Sequence, residues 1–229
     1  MRLYAFLDLD HVPTAWAVMR GMLVSARMNL DYSPGCISFM LAGLILSENN
    51  SRLCNELVFE DRRRTNHSAR TSRLGGMYFF DERSLALRTS EGWGPHFKEE
   101  NLFALAVTPR GKVDRFDSDW ITHADYDASG RLELGSYDRI DQYWRGIPAS
   151  DQPAWELLCD GLAIVLDDDA RKRAYEVVKR EFPDCLLAIE ISRLACETSG
   201  SSRDDNAMAF EYGRQHHRSC VLVSGRGTA

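Results

Sequence analysis

The sequence lacks the motifs that mark the commonest cofactor and metal sites. No GxGxxG or GxxxxGK[ST] motif follows a predicted strand, which argues against a Rossmann or P-loop nucleotide site. The six cysteines form no CxxC pair, and no cysteine–histidine group has zinc spacing. We therefore expect no metal centre, and we interpret the cysteines as buried, reduced thiols of a cytoplasmic protein.

Long apolar runs and an excess of positive charge are also missing. The longest apolar run lies near residues 39–46, which is too short to span a bilayer. Asp8 interrupts the apolar start of the chain, so we expect neither a secretion signal nor a membrane partner. The net charge of −6 argues against a wide nucleic-acid surface, although it leaves a local basic patch open.

The composition is that of a globular protein. Of the 229 residues, 44% are hydrophobic and 27% are charged, which is enough for a normal core. A Ser/Gly/Asp-rich stretch begins near residue 198, so we predict a single domain over residues 1–197 and a linker with a partly ordered tail over residues 198–229. Short, glycine-bounded strands interleaved with helices favour an α+β fold over a doubly wound sheet.

Local patterns predict the elements of this fold. Strands are predicted at residues 3–9, 74–80, 101–108, 113–116, 161–166 and 185–191, and helices at 15–23, 36–46, 52–64, 81–88, 117–121, 136–144 and 170–182. The periodicity of residues 52–64 places Leu53, Leu57 and Val58 on the buried face of an amphipathic helix. The same periodicity places Glu56 and Glu60 on the exposed face.

Residues 72–80 combine a basic lead-in, two glycines and an apolar run. Small and basic residues at a strand edge, such as Ser72 and Arg73, allow a phosphate or a dinucleotide to approach the backbone closely. The alternative is that Arg73 pairs with Glu56 or Glu60 and that the glycines only serve a turn.

Glu156 lies between Trp155 and Leu157, in an apolar setting. A carboxylate desolvated there can stabilise an oxocarbenium-like sugar cation or accept a proton. The alternative is a solvated glutamate on a helix. Several aromatic residues have rings that suit stacking on a nicotinamide or adenine, although we expect most of them to pack in the core: Tyr78, Trp93, Tyr143, Trp144 and Trp155.

Two segments resemble the first motifs of ADP-ribosyltransferase-fold proteins. Residues 3–8, followed by a helix and Arg20-Gly21, resemble the first strand of that fold, which has the form L-Y-[HR]-x-T. Residues 72–80, with Ala86 on the next helix, resemble the second motif, a glycine-bounded strand before an alanine-bearing helix. Residues 101–119 are similar to the strand pair that follows.

A third segment completes the order. Tyr143-Trp144, followed by residues 155–158 and 161–165, resembles the motif in which a glutamate on or before a late strand is the catalytic acid. The resemblance covers roughly residues 3–165. It extends to uncharacterised bacterial proteins that share a pattern like residues 55–62 followed by Ser72-Arg73-Leu74.

The resemblance implies an ADP-ribosyltransferase-like split β core with flanking helices. It implies that NAD is the substrate, that Glu156 and Arg73 are catalytic, and that ADP-ribose passes to an unknown protein or nucleic-acid acceptor. NAD is expected to contact Tyr4, Ser72, Gly75, Gly76 and Tyr78. Fold-level analogy suggests a bacterial toxin or phage-defence role. The oligomeric state is left undetermined.

One position departs from the family pattern. Ala5 stands where the first motif has the His or Arg that contacts the cofactor's ribose. Either Arg2, His11 or Arg73 takes over that role, or NAD binding is lost. The departure leaves open a non-catalytic nucleotide- or protein-binding module on the same fold. An RNA 2′-phosphotransferase on this fold and an unrelated α+β protein are further alternatives.

Overall fold

The computed structural model describes residues 1–26, 38–91, 93–94, 96–185 and 187. Contacts divide the chain into one unit, Met1–Val177, and a second, Val178–Ala229. Of the second unit the structure describes the end of a helix and a 3-10 turn, Pro183–Cys185. The predicted tail over residues 198–229 lies outside the described residues, as does most of the strand predicted at residues 185–191.

The described residues form a mixed α+β architecture with two antiparallel sheets, which confirms the predicted α+β class. The strands are β1 (Arg2–Phe6), β2 (Met22–Val24), β3 (Met77–Phe79), β4 (Leu102–Pro109), β5 (Asp114–Asp117), β6 (Trp155–Cys159) and β7 (Gly161–Val165). The helices are α1 (Val12–Met19), α2 (Phe39–Leu46), α3 (Asn50–Asn66), α4 (Arg83–Thr89), α5 (Asp119–Thr122), α6 (Tyr137–Arg145) and α7 (Asp168–Glu181). Within the described part, none of these helices has the length and apolar character needed to cross a membrane.

The first sheet has the strand order β1-β4-β7-β2. Its central strand β4 pairs with β1, where Ala5 is opposite Phe103, and with β7, where Leu105 is opposite Val165. Alternate residues of β4 are buried, as expected for strands with one face on the core. This register places Ala5, which is 6% exposed, inside the core.

The second sheet has the strand order β3-β6-β5. A backbone bridge joins it to the first sheet: the amide of Tyr4 donates to the carbonyl of Phe80 at 2.9 Å, and the amide of Phe80 donates to Tyr4 at 2.8 Å. The bridge lies just beyond the end of β3. The two sheets are therefore held together at the middle of β1.

One face of the second sheet is covered by α3 and α6. The buried residues between them are Phe59, Phe116, Ile140, Tyr143, Trp144 and Leu158. Phe116 stacks on Tyr143 with ring centroids 4.6 Å apart, and the indole nitrogen of Trp144 donates to the carbonyl of Phe59 at 3.1 Å. Because side chains alternate along a strand, Glu156 points to the same face as Leu158, into this helix-covered interior.

The exposed and buried faces of α3 differ from the prediction. Leu57, predicted to face inward, is 52% exposed, whereas Glu56, predicted to face solvent, is 3% exposed. An argument from helical periodicity assigns every glutamate to the solvent-facing side. Here the buried Arg73, from another segment, provides an opposite charge, so Glu56 lies on the buried face of the helix.

Two further predictions were wrong in their extent. Residues 22–23 were predicted to end a helix but belong to β2, because Gly21 has a left-handed φ of +79° that ends α1 and starts the strand. The strand predicted over residues 74–80 is reduced to β3, since the chain before it is a hydrogen-bonded turn.

Candidate functional site

A buried ionic cluster centred on Arg73 joins residues 72–80 to the segment that carries Glu156. Arg73, which is 5% exposed, donates from Nε and Nη2 to the two carboxylate oxygens of Glu56, at 2.8 and 2.9 Å. Its Nη1 donates to Glu156 Oε1 and to the hydroxyl of Tyr143, both at 2.7 Å. The Tyr143 hydroxyl in turn donates to the same Glu156 oxygen at 2.6 Å.

Three elements position this cluster. Glu56 lies in the second turn of α3, Tyr143 lies on α6, and Glu156 is the second residue of β6. The interpretation of Glu156 as a solvated helix glutamate is wrong, since its side chain is 8% exposed and lies on a strand. Arg73 reaches it across 83 residues of sequence, so these contacts are made only when the chain folds.

The formal charge of the cluster is negative. One guanidinium faces the two carboxylates of Glu56 and Glu156, and aromatic rings surround it: the centroids of Phe59, Tyr78 and Tyr143 lie 5.7, 5.1 and 5.3 Å from Arg73 Cζ. Burial alone lowers the pKa of Arg73, but Glu56 above all raises it well above its ordinary value. The guanidinium therefore stays charged.

The two tyrosines of the cluster stay protonated. Burial raises the pKa of both Tyr78 and Tyr143 well above the ordinary value, although the charge of Arg73 opposes it. The Tyr78 hydroxyl donates to the backbone carbonyl of Arg73 at 2.9 Å. Both phenols thus act as hydrogen-bond donors that fix Arg73 and Glu156.

A second ionic pair lies one helical turn along α3. Glu60 accepts two hydrogen bonds from Arg63, at 2.9 and 2.7 Å, and one from the Ser72 hydroxyl at 2.8 Å. Burial raises the pKa of Glu60, but the hydrogen bonds from Arg63 and Ser72 outweigh it and lower the pKa. This pair fastens the segment before Arg73 to α3.

Buried Asp114 on β5 holds the same segment from the other side. Its carboxylate accepts from the Thr71 amide at 2.7 Å and from Arg70 at 2.9 Å. Burial raises the pKa of Asp114, but the hydrogen bonds from Thr71 and Arg70 outweigh it, so the pKa is lowered overall. Arg73 is therefore presented from a backbone fixed on two sides.

The two glycines serve a turn. The amides of Gly75 and Gly76 point to the carbonyl of Ser72, at 3.4 and 2.8 Å. A Cβ on Gly76 would lie 2.9 Å from that carbonyl oxygen and 3.0 Å from Leu158 Cδ1. Glycine is required here by close packing within the chain, as the alternative interpretation of residues 72–80 held.

The other residues that were expected to contact NAD do not all lie at the Arg73 cluster. Tyr78 belongs to the cluster, because its hydroxyl donates to the carbonyl of Arg73. Ser72 precedes Arg73 in the chain, and its hydroxyl donates to Glu60 of the second ionic pair. Tyr4 lies apart, against the second apolar cluster of Phe80, Leu85, Ala86 and Leu102. Trp93 and Trp155 pack there too, and Trp144 packs between α3 and α6, so most of the five aromatic residues are packing residues, as expected.

Glu56 and the hydroxyl of Tyr143 are the members of the site for which the sequence suggested no catalytic or binding role. The pairing of Arg73 with Glu56 was predicted as the alternative to a nucleotide-binding role for residues 72–80. In the structure Arg73 pairs with both Glu56 and Glu156. The repeat of glutamates at positions 56 and 60 was the available signal: two acids one turn apart beside an apolar helix face require partners.

The cluster holds the Glu156 carboxylate in one orientation, because Arg73 and the Tyr143 hydroxyl both donate hydrogen bonds to it. Such a carboxylate is suited to stabilising positive charge that develops on a bound molecule. Within the described residues no trio of His, Cys, Asp or Glu is arranged to hold a metal ion. Comparison with protein-family models gives no match, and neither does comparison with curated proteins.

Proposed function

We propose that this chain is an NAD-dependent ADP-ribosyltransferase with an ADP-ribosyltransferase-like split β core. It cleaves the nicotinamide–ribose bond and transfers ADP-ribose to a protein or nucleic-acid acceptor. The observation that carries the proposal is the 2.7 Å contact between Arg73 and Glu156, which brings the second and third motifs of the sequence together. The split sheets, joined at Tyr4 and Phe80, support it.

In this mechanism Glu156 stabilises the ribosyl cation as nicotinamide leaves with the electron pair of the C–N bond. The acceptor nucleophile then forms the new bond to the anomeric carbon and loses its proton to Glu156 or to water. Arg73 and Tyr143 hold the carboxylate in one orientation throughout. With water as the acceptor, the products are nicotinamide, ADP-ribose and a proton.

Glu156→Gln is the decisive variant. Wild type contains one positive and two negative charges in the cluster, so this change leaves the balanced pair of Arg73 and Glu56 and keeps an oxygen for the two donors. We expect the fold to persist and nicotinamide release to fall by roughly 100-fold or more, the size typical of losing such stabilisation.

The measurement is nicotinamide release from NAD by the full chain, with circular dichroism as the folding check. Glu91→Gln is the matched control, because Glu91 is exposed. It should release nicotinamide at the wild-type rate. Equal release by wild type and Glu156→Gln, or no release by folded wild type, contradicts the proposal.

A second candidate is the non-catalytic nucleotide- or protein-binding module. It is favoured by Ala5, which is buried and offers no polar group, and by Glu156 Oε1, which already accepts two hydrogen bonds. Calorimetry with NAD separates the two candidates. Binding without nicotinamide release supports the module, and binding with release supports the enzyme.

A further inference from the structure

One face of the first sheet presents apolar side chains to solvent. Side chains alternate along a strand, so residues of β2 and β7 that lie two apart share a face. Four side chains on this face are 40%, 37%, 48% and 50% exposed: Met22, Val24, Ile164 and Leu166. Met22 is opposite Ile164 in the register, so the four form one contiguous patch. Single exposed apolar residues are common, whereas a contiguous patch indicates an interaction surface.

The patch ends at an open sheet edge. β2 is the last strand in the order β1-β4-β7-β2, so in the described part of the chain β7 is its one strand neighbour. The carbonyl of Gly21 and the amide of Ser25 both bond to β7, each at 3.0 Å. Because bonding direction alternates along an antiparallel strand, the amides and carbonyls of Met22 and Val24 point to the open edge.

This edge lacks the devices that usually prevent strand pairing. Exposed edge strands commonly have a lysine, a proline or a bulge. Met22-Leu23-Val24 contains no charged residue and no proline, and it pairs with β7 residue by residue without a bulge. An uncharged edge beside an apolar face is suited to the addition of another strand.

We propose that β2 pairs with β2 of a second copy of this chain, in an antiparallel dimer whose two-fold axis passes through Leu23. This inference is independent of the proposed function. The strand is self-complementary in this register: Met22 of each copy is opposite Val24 of the other, and each such pair exchanges both of its outward backbone hydrogen bonds. The two four-stranded sheets then form one continuous sheet, with their apolar patches side by side on one face.

The charges near β2 favour this two-fold arrangement. The exposed Arg20 precedes Gly21, and Arg171 Nε lies 3.1 Å from the position of a Cβ on Gly21. Antiparallel pairing places this end of one copy beside Ser25 and Ala26 of the other, so the arginines of the two copies lie at opposite ends of the interface. Parallel pairing would bring the like charges together, which is unfavourable.

Sedimentation velocity of the full chain, from about 1 to 500 μM, tests the dimer. The interface is small compared with the roughly 1,600 Å² of a standard complex, so we expect a dissociation constant of about 1–100 μM. Val24→Lys should weaken dimerisation by roughly 10-fold or more, because a lysine then lies at both symmetric pairs of the edge. Leu57→Lys is the matched control: Leu57 is 52% exposed on α3, and its replacement should leave dimerisation unchanged.

The double variant Met22→Glu with Val24→Lys tests the register. It places a glutamate opposite a lysine in both pairs, so it should restore the dimer that Val24→Lys loses. Circular dichroism checks the fold of each variant, and Met22→Lys replaces Val24→Lys if the latter does not fold. A wild type that stays monomeric overturns the proposal. So does a dimer that the lysine variant leaves intact, or one that the double variant does not restore.

Discussion

Glu56 and Glu60 lie one helical turn apart on α3, and each carboxylate binds its own arginine. Glu56 binds Arg73 from a distant segment, whereas Glu60 binds Arg63 of the same helix. Two acids at this spacing would repel each other on an isolated helix. The helix therefore depends on the segment before β3 for its charge balance, and the two elements are expected to unfold together.

Glu56→Gln should destabilise the protein more than any exposed charge change. It replaces one of the two oxygens that face Arg73 with an amide group, which is itself a donor, while Glu156 remains as a counter-charge for Arg73. We expect a loss of about 1–3 kcal/mol in the free energy of unfolding. Urea denaturation measures it, and Glu91→Gln should stay within about 0.5 kcal/mol of wild type. A loss below about 1 kcal/mol for Glu56→Gln would contradict a dominant role for this pair.

Alanine substitutions on α3 test which face of the helix is buried. Phe59 is 1% exposed, and Phe59→Ala should cost about 3–5 kcal/mol because it leaves a cavity between α3 and α6. Leu57 is 52% exposed, and Leu57→Ala should change the unfolding free energy by about 0.5 kcal/mol or less. The same denaturation series measures both, and a reversed order would show that the helix is rotated.

Two glycine substitutions should act in opposite directions. A Cβ on Gly76 meets a backbone oxygen at 2.9 Å, so Gly76→Ala forces the turn apart and should cost about 1–3 kcal/mol. A Cβ on Gly43, within α2, meets nothing within 4 Å. Gly43→Ala should therefore gain about 0.5–1 kcal/mol from helix propensity. Thermal unfolding of the pair measures both, and a stabilised Gly76→Ala would refute the packing argument.

Acid should destabilise the fold through Glu60 and Asp114. Folding lowers the pKa of both from ordinary values of 4.5 and 3.8, so their stabilisation is present above those values. It is lost as the pH falls through the lowered folded-state values. The unfolding free energy should decrease between about pH 5 and pH 3, and less steeply in Glu60→Gln. A stability that stays level over that range would contradict the expectation.

How much the sequence could predict depends on the range of the interactions. The strand at β4 and the existence of α3 follow from local patterns, because a run of apolar residues or a helical period needs no distant partner. The buried face of α3 does not follow, since it is set by Arg73. The resemblance implied catalytic roles for Arg73 and Glu156, but local spacing could not show that they meet, because 83 residues separate them.

The pairing of β1 with β4 has a consequence for the protein during its synthesis. The partners of residues 2–6 are residues 102–106, so the first strand leaves the ribosome about a hundred residues before its neighbour exists. At ordinary translation rates that delay is roughly 5–20 seconds. Throughout it, Leu3 and Ala5, both buried in the finished fold, are exposed to chaperones and to other nascent chains. Slow translation before residue 102 should therefore lower the yield of folded protein more than slow translation after β7.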